Sequence, residues 1–476
     1  MSQQNRYSTL LSNTFLISVG TFGSKILTFL MVRFYTEILT PSDYGTADLI
    51  IQTANLLLPL ISMGITDGVF RFAIEHKRNR KSIFSVGFYT ITAGALLFFA
   101  IAPLLSLVSS LDGYSWLIVC FTLASCYHSL CAQFVRAEGK TALFAGQGVL
   151  NTGLVIGLNI LFLMVFRFGI TGYVLSVILA DVLCSIFLFV KEKMWKLIIR
   201  RPQRGLVPQM LRYSIPLIPT TVFWWITSVS DRYMVTVFLG SDANGIYAVA
   251  CKIPTILTLI AGIFLEAWQF SAVSEARGSR NAHIHFYSQI WSAFQGVMFF
   301  AGSLIIAFSH WEIRMLSTES YYSAWQYMPV LSMAMIFASF VTFMGSVYMV
   351  EKKSGLSFWT AMIGAAVNIL LNLILIPTQL GVQGAALATL ASYFLSFLIR
   401  AVSARRLIPF DLHTGRLTAG ALVLSVQTVF IICRFPMWDI VQAVCIVILL
   451  ILNIKPFFAA FRKVKQVGTE RRLYKK

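Results

Sequence analysis

The chain is a succession of long apolar stretches joined by short polar connectors, and few folds accept that pattern. Fourteen stretches of membrane-spanning length can be drawn: roughly 9–35, 45–66, 83–108, 115–135, 142–166, 170–190, 212–239, 245–270, 288–309, 324–350, 356–377, 383–404, 417–434 and 437–454. A helix crosses the hydrocarbon core in about 20 residues. In lipid each backbone N–H and C=O needs a partner within the protein, so runs this long are expected as helices that satisfy their own backbones. The predicted fold class is an all-α polytopic membrane protein of about 14 helices, or twelve if the pair after residue 405 is misassigned. Hydrophobic residues make up 57% of the chain and charged ones 12%. That is about half the charge of a soluble domain, and it removes the alternative of one large soluble core.

The pattern is also written twice. Leu39-Thr-Pro-Ser-Asp-Tyr-Gly45 is echoed by Leu239-Gly-Ser-Asp-Ala-Asn-Gly245. Glu138-Gly-Lys140-Thr141 returns as Glu351-Lys-Lys353-Ser354, Asn159 as Asn372, and Phe168-Gly-Ile-Thr-Gly172 as Leu380-Gly-Val-Gln-Gly384. Residues 1–190 and 212–404 are therefore predicted to be two six-helix lobes in parallel repeat around a central cavity. A basic linker, 191–211, joins them. Two further helices over 405–455 and a basic tail over 456–476 follow. Repeats of this kind place function between the copies. Pro59, Pro254, Pro216 and Pro219 interrupt the early helices of each repeat, where kinks are expected.

The net charge of +19 is a matter of placement. Thirty of the 38 Lys and Arg fall in or beside the connectors of one side, three on the other (Arg167, Arg314 and Arg434), and five within or at the mouth of spans. The crowded side is expected to be cytoplasmic, together with both termini. The charge thus reads as membrane topology, with attraction to anionic headgroups, and not as a nucleic-acid surface. The seven cysteines sit in apolar spans without metal-ligand spacing and read as packing residues. No cofactor or metal site is expected. Trp116, Trp311, Trp325 and Trp438 fall near predicted span ends and read as interfacial anchors. One chain supplies both halves, which favours a monomer.

Ionisable groups inside spans are costly and point to function. The five basic ones are Lys25, Arg33, Arg71, Arg232 and Lys252; the nearby acids include Asp48 and Asp231. Six of these (Lys25, Arg33, Asp48, Asp231, Arg232 and Lys252) fall in the predicted outer half, four positive against two negative, so an electropositive cleft suited to an anion is expected. Guanidinium forks and ammonium groups both suit phosphate oxygens. Arg71 sits at the predicted inner mouth. Asp48 and Asp231 are candidates for ion pairing or cation coupling. Asp231 and Arg232 are neighbours that point about 100° apart on a helix and cannot simply neutralise each other. Trp224 and Trp225 could stack on sugars or line a lipid route, although packing is the commoner role of such residues. Asp181, alone in its span, reads as a structural partner, and Asn151, Asn159, Asn368 and Asn372 as amides that join helices. The short connectors on the side poor in Lys and Arg leave little room for a glycan polymerase or ligase, and there is no Gly-rich phosphate loop for ATP. A transporter is expected, not an enzyme.

Asn13-Thr-Phe, Gly23-Ser-Lys25, Leu39-Thr-Pro-Ser-Asp-Tyr-Gly45, Tyr213-Ser-Ile-Pro-Leu-Ile-Pro219, Ser230-Asp-Arg-Tyr233 and Gly245-Ile-Tyr-Ala-Val-Ala-Cys-Lys252, in this order and spacing, give the chain a resemblance to a known group. It resembles the polysaccharide-type flippases of the multidrug/oligosaccharidyl-lipid/polysaccharide exporter superfamily. The resemblance implies alternating access by two lobes, and a cargo of undecaprenyl-diphosphate-linked oligosaccharide moved to the outer leaflet of a bacterial plasma (inner) membrane for O-antigen, capsule or exopolysaccharide. It implies a lipid-tail groove on the two extra helices. Lys25 and Arg33 occupy the helix comparable to one that carries basic cavity residues in lipid II flippases. The lipid bilayer is one implied partner, and a glycan polymerase and glycosyltransferases are others. A cation-coupled drug or metabolite exporter of the same superfamily is the alternative reading, with a membrane glycan polymerase or ligase behind it.

Overall fold

The computed structural model describes residue 23 and residues 27–75, 79–103, 113–275, 280–351 and 353–454. The described chain is helical, and no strand occurs among these residues. In order, the helices are α1 (27–38), α2 (Pro41–Ile61), α3 (Ile65–Glu75), α4 (Arg80–Ile101), α5 (Ser115–Ala137) and α6 (Thr141–Asn159, prolonged by a π-turn over Ile160–Val165). There follow α7 (Gly169–Lys191), α8 (Leu206–Ser214), α9 (Ile218–Leu239), α10 (Ser241–Lys252), α11 (Thr255–Glu275) and α12 (Arg280–Leu316). The last five are α13 (Met328–Val350), α14 (Ser354–Leu375), α15 (Val382–Leu407), α16 (Thr414–Ile432) and α17 (Trp438–Ile454).

Among the described residues, ten helices are long and apolar enough to cross a membrane, or eleven if the bent pair α2 and α3 is one broken span. The difference from fourteen has particular causes. Most of the first predicted span lies outside the described residues. The segment α9, rich in Ser, Thr, Asp and Arg, is a full-length helix that is not among the ten. At 17 residues, α17 is a shorter apolar helix. The prolines fall at breaks. The 51° bend between α2 and α3 follows Pro59, with Gly64 donating its N–H to the Pro59 carbonyl. A 3-10 turn containing Pro216 separates α8 from α9, Pro219 lies in the first turn of α9, and Pro254 separates α10 from α11.

The chain forms two compact units. The first comprises residues 1–248 with Leu316–Tyr321; the second comprises Val249–Met315 with Tyr322–Lys476. The unit boundary is therefore not the repeat boundary near residue 212, because α9 and most of α10 pack with the first sequence half. In the first unit α5 packs against α2, α3, α4, α6 and α7. Its core includes Ile83, Phe84, Leu130 and Met210 at one end and Leu49, Ile50, Phe98 and Leu117 at the other.

The duplicated motif explains how α9 and α10 join this unit. In the first copy Thr40 caps α2, its Oγ1 accepting from the Asp43 N–H while the Asp43 carboxylate accepts from the Thr40 N–H, and Pro41 opens the first turn. This is a capping box with proline at its favoured position. In the second copy Gly240 has φ +92°, a backbone conformation suited to glycine, and turns α9 directly into α10. The two copies then pack on each other. A Cβ on Gly45 would lie 2.2 Å from the Ser241 carbonyl oxygen, and one on Gly245 would lie 1.9 Å from the Pro41 carbonyl oxygen. Asn244 closes the contact by donating Nδ2–H to the Gly45 carbonyl at 2.9 Å.

The second unit is built on α13, which packs against α11, α14, α15 and α16. Trp291, Phe294, Phe340, Phe343 and Phe397 form its aromatic centre, and the Trp291 indole donates to the Leu412 carbonyl at 2.9 Å. The two C-terminal helices are tied in by amides. Gln427 of α16 accepts from the Ser303 hydroxyl and donates to the Ser303 carbonyl, while Gln442 of α17 donates to the Gln427 carbonyl.

Candidate functional site

The first unit holds a buried polar network where α2 meets α9. The Arg232 Nη1 donates to both oxygens of Asp48, at 2.6 and 2.5 Å, joining residues 184 positions apart. Both side chains are about nine-tenths buried. Asp231 turns the other way. Its carboxylate accepts from the Tyr247 hydroxyl at 2.6 Å and from the Arg232 backbone N–H at 2.9 Å. The two neighbours thus diverge, as helix geometry requires. Tyrosines enclose the pair: Tyr35 and Tyr44 pack on Tyr173, Tyr44 meets Tyr321, and the Tyr233 hydroxyl shares a hydrogen bond of 2.7 Å with Thr53. An ion pair this buried is held by its geometry, and loss of one member strands the other charge.

The remaining basic candidates are placed differently. Arg33 of α1 is exposed, donating Nε–H to Glu37 at 2.7 Å and Nη1–H to the Ser317 carbonyl at 2.5 Å. Arg71 of α3 is exposed, pairs with Glu75 at 3.1 Å and lies over the Tyr213 ring at 4.4 Å. Both pairings span four residues on one helix, the spacing at which side chains meet. Exposed pairs of this kind are screened by water and contribute little to stability. Lys252 is half-buried at the C-terminal end of α10, in the second unit. Lys25 lies outside the described residues. Within the first unit, Arg33, Glu37, Asp48, Asp231 and Arg232 carry two positive and three negative charges, so these described residues alone are not electropositive. Glu37 adds a third acid to the two expected from the sequence, and Arg232 and Asp48 face each other.

Trp224 is half-buried, and Trp225 packs against Tyr233 with ring centroids 5.7 Å apart. Trp116 and Trp311 are exposed, as interfacial anchors are, but Trp325 is buried under His310, which stacks on it at 3.7 Å. Asn151 joins α6 to α7 through Asp181, and Asn368 joins α14 to α15 through Thr389, whereas Asn159 donates within its own helix. Arg400 was not singled out from the sequence. It is buried in α15 and donates to the Val341 and Ser357 carbonyls and to the Thr360 hydroxyl. Its position inside an apolar span was the available signal.

A second feature involves α16, the first of the two C-terminal helices. An apolar groove of about 730 Å³ lies in the second unit between α13, α14, α15 and α16, lined by Phe337, Leu371, Phe394, Leu398 and Leu422 among others. Phe394, Leu398 and Leu422 are substantially exposed along it.

This arrangement of helices is shared with solved membrane transporters. It matches the lipid II flippase MurJ, in an inward closed conformation, with a TM-score of 0.66 at 16% identity, covering 94% of this chain and 99% of that one. It matches an inward-facing multidrug resistance MATE family transporter of the MOP superfamily with a TM-score of 0.66 at 15% identity, covering 84% and 98%. A MOP superfamily transporter from Pyrococcus furiosus matches with a TM-score of 0.59 at 13% identity, covering 84% and 96%. The uncharacterized membrane protein MJ1375 of Methanocaldococcus jannaschii is 24% identical over 427 residues, 82% of this chain and 97% of that protein. The profile of the family described as "Polysaccharide biosynthesis protein" matches residues 10–270, more than half of the sequence. The chain belongs to that family, and it shares its fold with these solved transporters.

Proposed function

We propose that this protein is a flippase that carries undecaprenyl-diphosphate-linked oligosaccharides from the cytoplasmic to the outer leaflet of a bacterial inner membrane, for assembly of a surface polysaccharide. The observation that carries this reading is the match of residues 10–270 to the polysaccharide biosynthesis family. Three further observations support it. Thirty basic residues on one side against three on the other favour cytoplasmic termini. The MurJ fold covers about 48 more residues of this chain than the MATE fold does, close to the length of the segment holding α16 and α17. The groove bounded by α16 is apolar, open and large enough for part of an isoprenoid tail.

In this mechanism the tail stays in lipid or in the groove while the diphosphate and sugars cross by alternating access. Lys25, Arg33, Arg71, Arg232 and Lys252 are the proposed anion-handling groups. Arg33 and Arg71 need only exchange an exposed carboxylate for phosphate oxygens, whereas Arg232 would first have to leave Asp48. Carrying two negative charges out of an inside-negative cell is favourable by about 4–5 kcal/mol at about 100 mV, so the membrane potential can drive the step. Polymerase and glycosyltransferases are proposed as functional partners and the chain as a monomer. Lys25→Ala and Lys252→Ala should each abolish surface-glycan export while the protein is still made and inserted; normal export by both variants refutes the anion-handling assignment. The equal TM-score of the MATE transporter keeps a cation-coupled exporter as the second reading. Resistance to cationic drugs on expression, with surface glycan unchanged, would favour it.

A further inference from the structure

Away from the Asp48–Arg232 network, three helices of the first unit converge on another polar centre. His128 is the fourteenth of the 23 residues of α5, and Asp181 the thirteenth of the 23 of α7, so both lie near the middle of spans. The His128 Nδ1 is 2.9 Å from Asp181 Oδ1, and its Nε2 is 2.7 Å from Gln147 Oε1 of α6. Asp181 also accepts from Asn151 at 2.9 Å and from the Ser125 hydroxyl at 2.5 Å. The side chains of His128 and Asp181 are only 16% and 11% exposed.

The hydrogen-bond inventory of this cluster depends on one proton. Asn151 and the Ser125 hydroxyl both direct hydrogens at the Asp181 carboxylate, and His128 is its third neighbour. The Nδ1 of His128 must then donate to it. A neutral imidazole has no second N–H. Its Nε2 can face Gln147 only if the amide presents its NH₂ group. When Nε2 is protonated, the amide turns over and presents Oε1. In both states each ring nitrogen of His128 has a partner, and the states differ by one proton and one amide flip. The centre carries a charge of −1 in the first state and zero in the second. Among the described residues no other charged group faces His128. From α7 come Asp181 and Cys184, whose thiol points to the Gln147 carbonyl. Cys126 points to the Leu58 carbonyl of α2, and Tyr127 to Thr92 of α4. From α6 come the amides of Gln147 and Asn151.

We propose that His128 and Asp181, with Gln147, Asn151 and Ser125, form a proton-binding site inside the membrane-spanning part of the first unit. A hydronium ion gives its proton to the Nε2 lone pair of His128: its O–H bond breaks as the N–H bond forms, water is left behind, and Gln147 turns to accept the new N–H. Loss of the proton to water reverses the step. The ligand is a proton and not an alkali cation, because the carboxylate oxygens are already taken by donors and an imidazole stands beside them. The site would let the membrane-embedded charge of this unit change with pH.

The test is a histidine titration of the whole chain, ¹⁵N-histidine-labelled, in lipid nanodiscs. The six histidines make the spectrum assignable, and His128→Gln identifies the relevant signal. The expected result is one buried imidazole that takes up a proton reversibly between pH 5 and 9. Asp181→Asn should weaken its proton affinity about tenfold or more, because the neighbouring charge is gone. The wild-type titration stands even if a variant fails to fold. A His128 signal that stays in one form throughout this range overturns the proposal, as does an unchanged midpoint in Asp181→Asn. A shift on replacing potassium with sodium at fixed pH also overturns it, because that result assigns the centre to a metal cation.

Discussion

A single methyl group added at Gly245 should force apart the two helix starts that carry the duplicated motif. The new Cβ would lie 1.9 Å from the Pro41 carbonyl oxygen, 2.7 Å from its carbon and 3.0 Å from its Cα. A comfortable carbon–oxygen contact is about 3.3 Å or more, so α10 must move away from α2 by roughly 1.4 Å. Every atom in the way is backbone, and no side-chain rotation can relieve it. Overpacking of this kind costs about 1–3 kcal/mol. The 2.9 Å bond from Asn244 to the Gly45 carbonyl would stretch beyond reach, adding about 1 kcal/mol. Alanine is the better helix former by up to about 1 kcal/mol, so the net loss is about 1–3 kcal/mol. Thermal unfolding of the purified protein, followed by circular dichroism, measures it. Gly153→Ala is the matched control, because nothing lies within 4 Å of a Cβ there, and it should be neutral or slightly stabilising. If Gly245→Ala unfolds with Gly153→Ala, the mutual packing of the two motif copies is refuted.

Other expectations follow from the same contacts. Asp48→Asn should cost about 3–5 kcal/mol by leaving the Arg232 guanidinium buried beside a neutral group, and Asp48→Ala combined with Arg232→Ala should cost less than the sum of the singles in a double-mutant cycle. Arg33→Ala should change stability by less than about 0.5 kcal/mol, since its pairing with Glu37 is exposed, yet lower export; unchanged export would remove it from the anion-handling set. Leu422→Trp should be tolerated by the fold, because Leu422 is 66% exposed and crowds no core neighbour, and slow export by filling the apolar groove; full export would exclude the groove as a tail route.

The all-α polytopic class and the uneven placement of Lys and Arg were legible in the sequence, because each depends on residue type and position along one dimension; the number of full-length spans was less so, since polar α9 and short α17 depart from the simple pattern. The partners were not. Sequence gives a residue's depth within a span but not its direction around the helix, and the direction decided the outcome at three places. Arg232 faces Asp48 across 184 positions, which its neighbour Asp231 made hard to foresee. Asp181 is the structural partner its sequence position suggests, but its neighbour, His128, could not be read from the sequence. Trp325, placed near a predicted boundary, turns inward beneath His310. The pairings of Arg33 with Glu37 and Arg71 with Glu75 were readable, since four-residue spacing announces them, and they temper the charge excess that composition suggested. The unit boundary falls within α10 and not at the repeat boundary, and the two glycine motifs pack on each other inside the first unit.

Proteoliposomes give the most direct test of function. The purified chain should be reconstituted with labelled undecaprenyl-diphosphate-linked oligosaccharide, and movement of the glycan from one leaflet to the other followed by its accessibility to an impermeant lectin. Transfer should depend on the protein, quicken under a potential that draws anions across, and cease in Lys25→Ala. No transfer of the lipid-linked glycan, with uptake of a cationic dye by the same vesicles, would contradict the account.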